Sequence, residues 1–295
     1  MAAVRGSIPS NITLTGWFTL LLNECARPYQ SSVLGEVGLI RGLDFTGQRP
    51  IYVGQNTPRQ YYLDSRRDAY RDELSALAVK ANEASGGAVV RRLSEMFDHI
   101  YIDEVQDLAG YDLDLLDLLM RSPIAVTMVG DPRQATFSTN NNRKNKKHKG
   151  SGIASWLNER VNLCEIEPRA VSYRCNQEIC DFADGLYPEM PATTSMNSET
   201  TGHDGVLAIK PSDVSEYVAE HDPVVLRYDK RADTAGLNAI NIGVSKGSTY
   251  DRVLIFPTGP MKKYYQSRNP LDAGAREKLY VAVTRAKYSV AFVIP

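Results

Sequence analysis

The sequence, 295 residues long, predicts an α/β fold with mostly parallel sheets. Two patterns carry that prediction. Short apolar runs bounded by turn residues recur at 100–102, 124–129, 161–166, 224–226, 239–244, 253–256 and 290–294, each of strand length. Helical patterns over 68–84, 111–120, 176–186 and 273–286 lie between several of them. Strands that alternate with helices are joined by crossovers, and a crossover returns the chain parallel.

A polar loop at 138–152, with the core NNNRKNKKHKG, divides the chain roughly in half. Such a tract has nothing to bury, which makes it a loop by composition. A second weakly structured stretch, 188–205, is rich in Thr, Ser and Gly. These breaks predict a first domain over 1–155 and a second over 156–295. The segment from about 45 to 95, mostly polar and partly helical, reads as a small insertion on the first domain.

Apolar residues make up 43% and charged residues 23% of the chain, the profile of a soluble globular protein. The formal net charge is −1, so a global field toward nucleic acid or membrane is excluded and any such contact must be a local patch. Cys25, Cys164, Cys175 and Cys180 lack the paired spacing of a zinc site and read as reduced thiols in a cytoplasmic protein. The apolar stretch 17–22 is too short to span a bilayer, and no signal-peptide order precedes it, so no membrane partner is expected. No repeat at solenoid period is present.

The chemistry concentrates where apolar runs end. YIDEVQD (101–107) stops a strand abruptly in Asp103 and Glu104, with Asp107 shortly after. Ligands of parallel α/β sheets sit at the carboxyl ends of strands. An aspartate there can hold Mg²⁺ on nucleotide phosphates, and an adjacent carboxylate can deprotonate a water. The competing reading is a helix N-terminus, where acidic residues favour the dipole. The next run, IAVTMVGDPRQATF, again ends in a polar switch at Gly130 and Asp131, with Gln134 three residues on. Alone it would pass for a tight turn.

Together these strings resemble the UvrD/Rep-like superfamily 1 DNA helicases. Five strings carry the resemblance in the family's order: DEVQD (103–107), VGDPRQATF (129–137), SYRCNQEI (172–179), VSKGSTYDRVLIF (244–256) and YVAVTRAK (280–287), spread over roughly residues 97–295. The resemblance implies two RecA-like domains of the P-loop NTPase type, with ATP in the cleft between them and single-stranded DNA across their top. It implies Mg²⁺ binding by Asp103, activation of water by Glu104, and γ-phosphate contact coupled to DNA by Gln134. It further implies stacking of Tyr173 on adenine, and arginine fingers at Arg174 and Arg285. Basic residues near a helix end or beside a carboxylate also have ordinary explanations, the dipole for Arg285 and a surface ion pair for Arg174. Where the family carries an acidic residue two places after the glycine of VSKGSTYDRV, this chain has Ser248, Thr249 and Tyr250 after Gly247, which puts nucleotide discrimination in question. Lys246 and Gly247 are candidate nucleotide contacts, with DNA phosphate contact and helix capping as alternatives.

One family feature is missing. The phosphate loop G-x-x-x-x-G-K-[ST] cradles phosphates with backbone amides and a lysine, and no Gly-Lys dipeptide occurs in the sequence. In the family that loop precedes a segment like ITLTGWFTLLLNE (12–24). The expectation is an incomplete first domain with an unpaired sheet edge and exposed apolar surface, and with it a fragment or a partner protein that supplies or covers the absent part.

The loop from Arg143 to Lys149 holds Arg143, Lys144, Lys146, Lys147 and Lys149 directly after the Gln134 string. With Phe137 or Trp156 nearby, it fits phosphate contact beside base stacking, against the plainer reading of a solvated charge run. Flexible lysines read phosphate, so no base-sequence specificity is expected. Only about 70 residues separate Asn176 from Val244, where many relatives carry a large extra domain. The reading is an ATP-dependent helicase or translocase on single-stranded DNA. The alternatives are a hydrolysis-deficient nucleic-acid-binding module and a nucleotide-dependent switch.

Overall fold

A computed structural model describes residues 9–36 and 38–295. These form two compact units, divided between Ile166 and Glu167. The division falls later than residue 155 because the helix Ile153–Asn158 packs Ile153 and Trp156, each 1% exposed, into the first unit's core beside Ile102, Val105, Leu113 and Leu116. The chain is α/β, and among the described residues its strands pair in parallel, with one isolated antiparallel bridge between Leu63 and Ala69.

In the first unit, His99–Ile102 pairs with Ala125–Met128, in register from His99 opposite Ala125 to Ile102 opposite Met128. One face of this pair, Ile100, Ile102, Val126 and Met128, packs inward. On the other, Tyr101 is 74% exposed, and Val129, just past the strand, is 53% exposed. Parallel sheets ordinarily bury both faces. The segment 45–95 is no appendage: Tyr62, Leu74, Leu77, Ala78, Ala81, Val89 and Leu93 are buried in one cluster with Leu21, Leu22 and Cys25. Its apolar residues recur at helical spacing in Leu74–Ala84 and Ala88–Met96, two helices separated by Gly86 and Gly87 at positive φ.

The loop 138–152 is also no solvated tract. Thr139, Asn140 and His148 are buried in it. Its asparagines replace the backbone pairing a loop lacks: Asn140 Nδ2 donates to Ala109 O at 2.7 Å and to Asp112 Oδ2 at 3.0 Å, and Asn145 Nδ2 donates to Gly110 O and Asp114 Oδ2 at 2.9 Å each. Asp112, 1% exposed, gathers these contacts. It also accepts from Trp17 Nε1 at 2.8 Å, Ala109 N at 3.1 Å and the Thr139 hydroxyl. Burial pushes its carboxyl above the usual range, against the pull of those donors.

The second unit centres on a five-stranded parallel sheet in the order Gly205–Ile209, Ala286–Val293, Tyr250–Phe256, Val224–Arg227, Ile240–Asn241. Its central strands are continuous apolar runs, with Val253, Leu254, Ile255, Val290, Ala291 and Phe292 fully buried, as sheets covered on both faces demand. The helices Gln177–Asp184 and Ala273–Val283 pack one face through Ile179, Phe182 and Leu279. Val214–His221 covers the other through Val214 and Tyr217.

Several element boundaries differ from the sequence reading. The run 161–166 is not a strand: Leu163 N and Cys164 N both return to Arg160 O in a turn, leaving Val161 70% exposed. Only Ile240–Asn241 of 239–244 pairs, after which Ile242–Ser245 coils into a 3-10 turn. The helix expected over 68–84 starts at Leu74, because Ala69–Tyr70 pairs with Leu43–Asp44. The last helix ends at Val283 and the final strand opens at Ala286.

Candidate functional site

The first cluster forms where the strands of the first unit end. Val129 N donates to Ile102 O at 2.8 Å, and Val129 O accepts from Val105 N at 3.0 Å. Two ladder bonds to one residue force Asp103 and Glu104 out of line between them. Glu104 takes φ +55°, a left-handed conformation unusual for a side-chain-bearing residue. Such strain costs on the order of 1–3 kcal/mol and collects at functional positions. Asp103, exposed, accepts Glu104 N at 2.9 Å through Oδ1.

Gln106 was not among the residues singled out from sequence, yet it ties the two strand ends together. Only 1% exposed, it donates through Nε2 to Glu104 Oε2, and its Oε1 accepts Asp131 N at 3.2 Å. The only available signal was an uncharged amide between carboxylates. Asp131 in turn binds Arg133 Nε at 2.9 Å and Gln134 Nε2 at 3.2 Å. Burial would raise its carboxyl, but the Arg133 guanidinium brings it below the ordinary value. The structure thus brings Asp103, Glu104 and Gln134 to one end of one sheet, linked by Gln106 and Asp131.

Gly130 makes that link feasible. A Cβ there would press on Gln106 Oε1 and lie 2.9 Å from Val105 Cγ1 and 3.1 Å from Val105 N. Gly130→Ala is therefore expected to expel the Gln106 side chain, at a cost of about 1–3 kcal/mol by overpacking. A thermal melt checks it: an unchanged midpoint would mean that the two strand ends tolerate separation.

The basic residues lie further along the first unit. Arg143, Lys144, Lys146, Lys147 and Lys149 are all exposed, and Phe137 is 51% exposed. Their backbone is held by the asparagine contacts above, so the charges stand on an ordered strap. Lys144 pairs with Asp114 at 3.2 Å and Lys147 with Glu159 at 3.3 Å. Lys149 donates to Asn141 Oδ1 at 3.4 Å.

In the second unit, Arg174 and Arg285 meet at Thr284. Arg174 Nη1 donates to Thr284 O at 3.0 Å. Arg285, 1% exposed, donates from Nε to Val281 O at 3.1 Å, from Nη1 to Ser248 O at 3.2 Å and from Nη2 to Thr284 Oγ1 at 3.2 Å. The Ser248 contact brings in the turn of Lys246 and Gly247, with Gly247 at φ +80°. Tyr173 is 82% exposed, its ring open to solvent. Arg285 is thus set into the core of its unit, whereas Arg174 is half-buried and held by one carbonyl.

Among the described residues no group of three or more His, Cys, Asp or Glu is gathered to cage a metal. An exposed carboxylate such as Asp103 still fits Mg²⁺, which takes one or two carboxylates and keeps most of its waters. All four cysteines are free thiols. No helix among the described residues is long and apolar enough to cross a membrane.

Comparison with known proteins matches residues 57–144 to the UvrD/REP helicase N-terminal domain. That match spans the Asp103, Glu104 and Gln134 strings and the start of the basic loop. No curated protein matches the chain. Among solved structures, the PRRSV helicase is 22% identical at a TM-score of 0.41, over 66% of this chain and 34% of that one. Arterivirus nonstructural protein 10, a helicase, is 21% identical at 0.42, over 66% and 38%. Its complex with DNA gives 20% at 0.43, over 67% and 39%. The chain thus spans little more than a third of the length of these helicases. Over residues 57–144, the chain is thus similar to the N-terminal domain of the UvrD/REP helicases.

Proposed function

We propose that the chain is the motor part of an ATP-dependent helicase or translocase that moves on single-stranded DNA. The observation that carries this reading is the Glu104–Gln106–Asp131 link. It fixes a carboxylate suited to deprotonating water against the string that holds Gln134, so a change at the nucleotide reaches the adjoining basic strap. Asp103 would hold Mg²⁺, which supplies charge neutralisation on the phosphates. Glu104 would take the proton of the attacking water, and Gln134 would contact the γ-phosphate. Tyr173 offers an open ring for the base, with Lys246 and Gly247 as further nucleotide contacts. Arg174 and Arg285 would stabilise the charge that develops on the transferred phosphoryl. A second reading, a binding module that does not hydrolyse ATP and works with a partner protein, is favoured by the absence of any Gly-Lys dipeptide.

Both readings require the basic strap to contact phosphate through Arg143, Lys144, Lys146, Lys147 and Lys149, with Phe137 stacking on a base. Arg143 and Lys146 are exposed, whereas Lys144 and Lys147 are engaged with carboxylates. Replacing Arg143 and Lys146 by alanine should flatten the plot of log affinity against log salt by about 1.4, at about 0.7 for each lost contact to a single strand. Fluorescence anisotropy with labelled oligonucleotides at several salt concentrations reads it. An unchanged slope would move the DNA path away from this strap.

A further inference from the structure

We propose that the turn at Ile51 and Tyr52 is a stacking tip, continuous with the basic strap, on which Tyr52 holds a base of the single strand. The tip depends on the proposed contact between strap and single-stranded DNA, and gives the bases a place beside the phosphates. Val53 N donates to Pro50 O at 3.0 Å, which closes a tight turn with Ile51 and Tyr52 at its two central positions. Ile51 is 98% exposed and Tyr52 89% exposed. Turn centres mostly carry Gly, Pro, Asn, Asp or Ser, so a β-branched residue followed by an aromatic one is an unusual filling.

A lone exposed apolar side chain is ordinary, and what sets this pair apart is the framework beneath it. Arg49 Nη1 donates to Val53 O at 2.6 Å and to Pro50 O at 3.3 Å, gripping the turn at both ends. The same guanidinium lies 4.3 Å from the centre of the Tyr61 ring, and its Nε donates to Glu73 Oε1 at 3.1 Å. Val53, 6% exposed, is packed into the core and anchors the turn from below. Ile51 and Tyr52 are thus held out on a fixed base, which lowers the ordering cost that a floppy loop meets on binding.

The base of the turn is also the base of the strap. Glu73 is buried; its Oε1 accepts from Arg49 and its Oε2 accepts Asn142 Nδ2 at 3.4 Å. Its neighbour Asp72 accepts Asn141 Nδ2 at 3.2 Å, and Asn141 Oδ1 takes Lys149 Nζ at 3.4 Å. One carboxylate therefore joins the apolar tip to the residue that precedes Arg143. Surfaces that hold single strands combine these two parts, cations that follow the phosphates and an aromatic ring that takes a base of any sequence. The charge beside the tip selects a polyanion with flat apolar faces, which is a single-stranded nucleic acid.

Stacking and phosphate contact respond differently to salt. Tyr52→Ala should weaken binding about 5- to 150-fold, the range for removing one aromatic platform. The slope of log affinity against log salt should stay as it is, because stacking releases no counterions. Replacing Arg143 and Lys146 changes that slope, so the two parts of the surface are read separately.

The test measures fluorescence anisotropy of the full chain with a labelled oligothymidylate, and with an oligonucleotide of equal length built of abasic sites, at several salt concentrations. Tyr52→Ala should lose affinity for the first and none for the second, and Tyr52→Phe should restore it. The melting temperature should not move, because the side chain is exposed. With 5-iodouracil in the oligonucleotide, irradiation should join it to the peptide that carries Tyr52. Equal affinity of Tyr52→Ala and the unaltered chain for the oligothymidylate would overturn the tip and leave the strap standing. An equal loss on both oligonucleotides would overturn stacking as its role. Light scattering that shows a dimer, dissolved by Tyr52→Ala, would make the tip an interface between copies of the chain instead. An unaltered chain that binds neither oligonucleotide would overturn the DNA contact itself, and the tip with it.

Discussion

Glu104→Gln is expected to lower DNA-stimulated ATP turnover by about 10²–10⁴-fold, the range supplied by a positioned general base. The substitution keeps length and shape, so the left-handed turn at φ +55° and the packing of Gln106 beneath it persist. What it removes is the capacity to take a proton. Nucleotide affinity should hold, because Glu104 would act on water and not on phosphate. Steady-state turnover beside calorimetric nucleotide titration separates the two quantities. Turnover equal to the unaltered chain would remove Glu104 from the role of base.

The two arginines should part company in a second experiment. Arg174→Ala is expected to lower turnover by about 10³-fold, the lower end of what an arginine finger contributes, with the melting temperature nearly unchanged. Its guanidinium is half-buried and its bond to Thr284 O can be replaced by water. Arg285→Ala should lose stability first. Its guanidinium is buried and donates to Val281 O and Ser248 O, and each carbonyl left without a donor costs about 1–3 kcal/mol. Melting curves and turnover of both variants decide the matter. An Arg285→Ala chain that melts at the unaltered temperature would contradict the structural weight given to its buried contacts.

The parts of the fold legible in sequence are those where a single pattern dominates. The runs around 100–102 and 124–129 end in abrupt polar switches, and the structure pairs them in parallel. The helix Tyr111–Met120 shows its period plainly, with Leu113, Leu115, Leu116 and Leu119 fully buried. What was hidden depends on partners distant in sequence. The strand Gly205–Ile209 is short and follows a polar stretch, and is fixed only by pairing with Ser289–Val293. The loop 138–152 reads as solvated because its asparagines are polar, yet those side chains supply the bonds that order it. Gln106 escaped for the same reason: an amide earns its place through both neighbours at once, Glu104 and the Asp131 backbone, which only the fold brings together.

The most direct test of the central claim is ATP hydrolysis by the purified 295-residue chain with and without single-stranded DNA, with Glu104→Gln as the control for contaminating enzymes. Turnover that DNA stimulates and the variant abolishes is the predicted result. A folded chain that binds DNA and shows no hydrolysis above that control would contradict the motor reading and leave a nucleic-acid-binding module in its place.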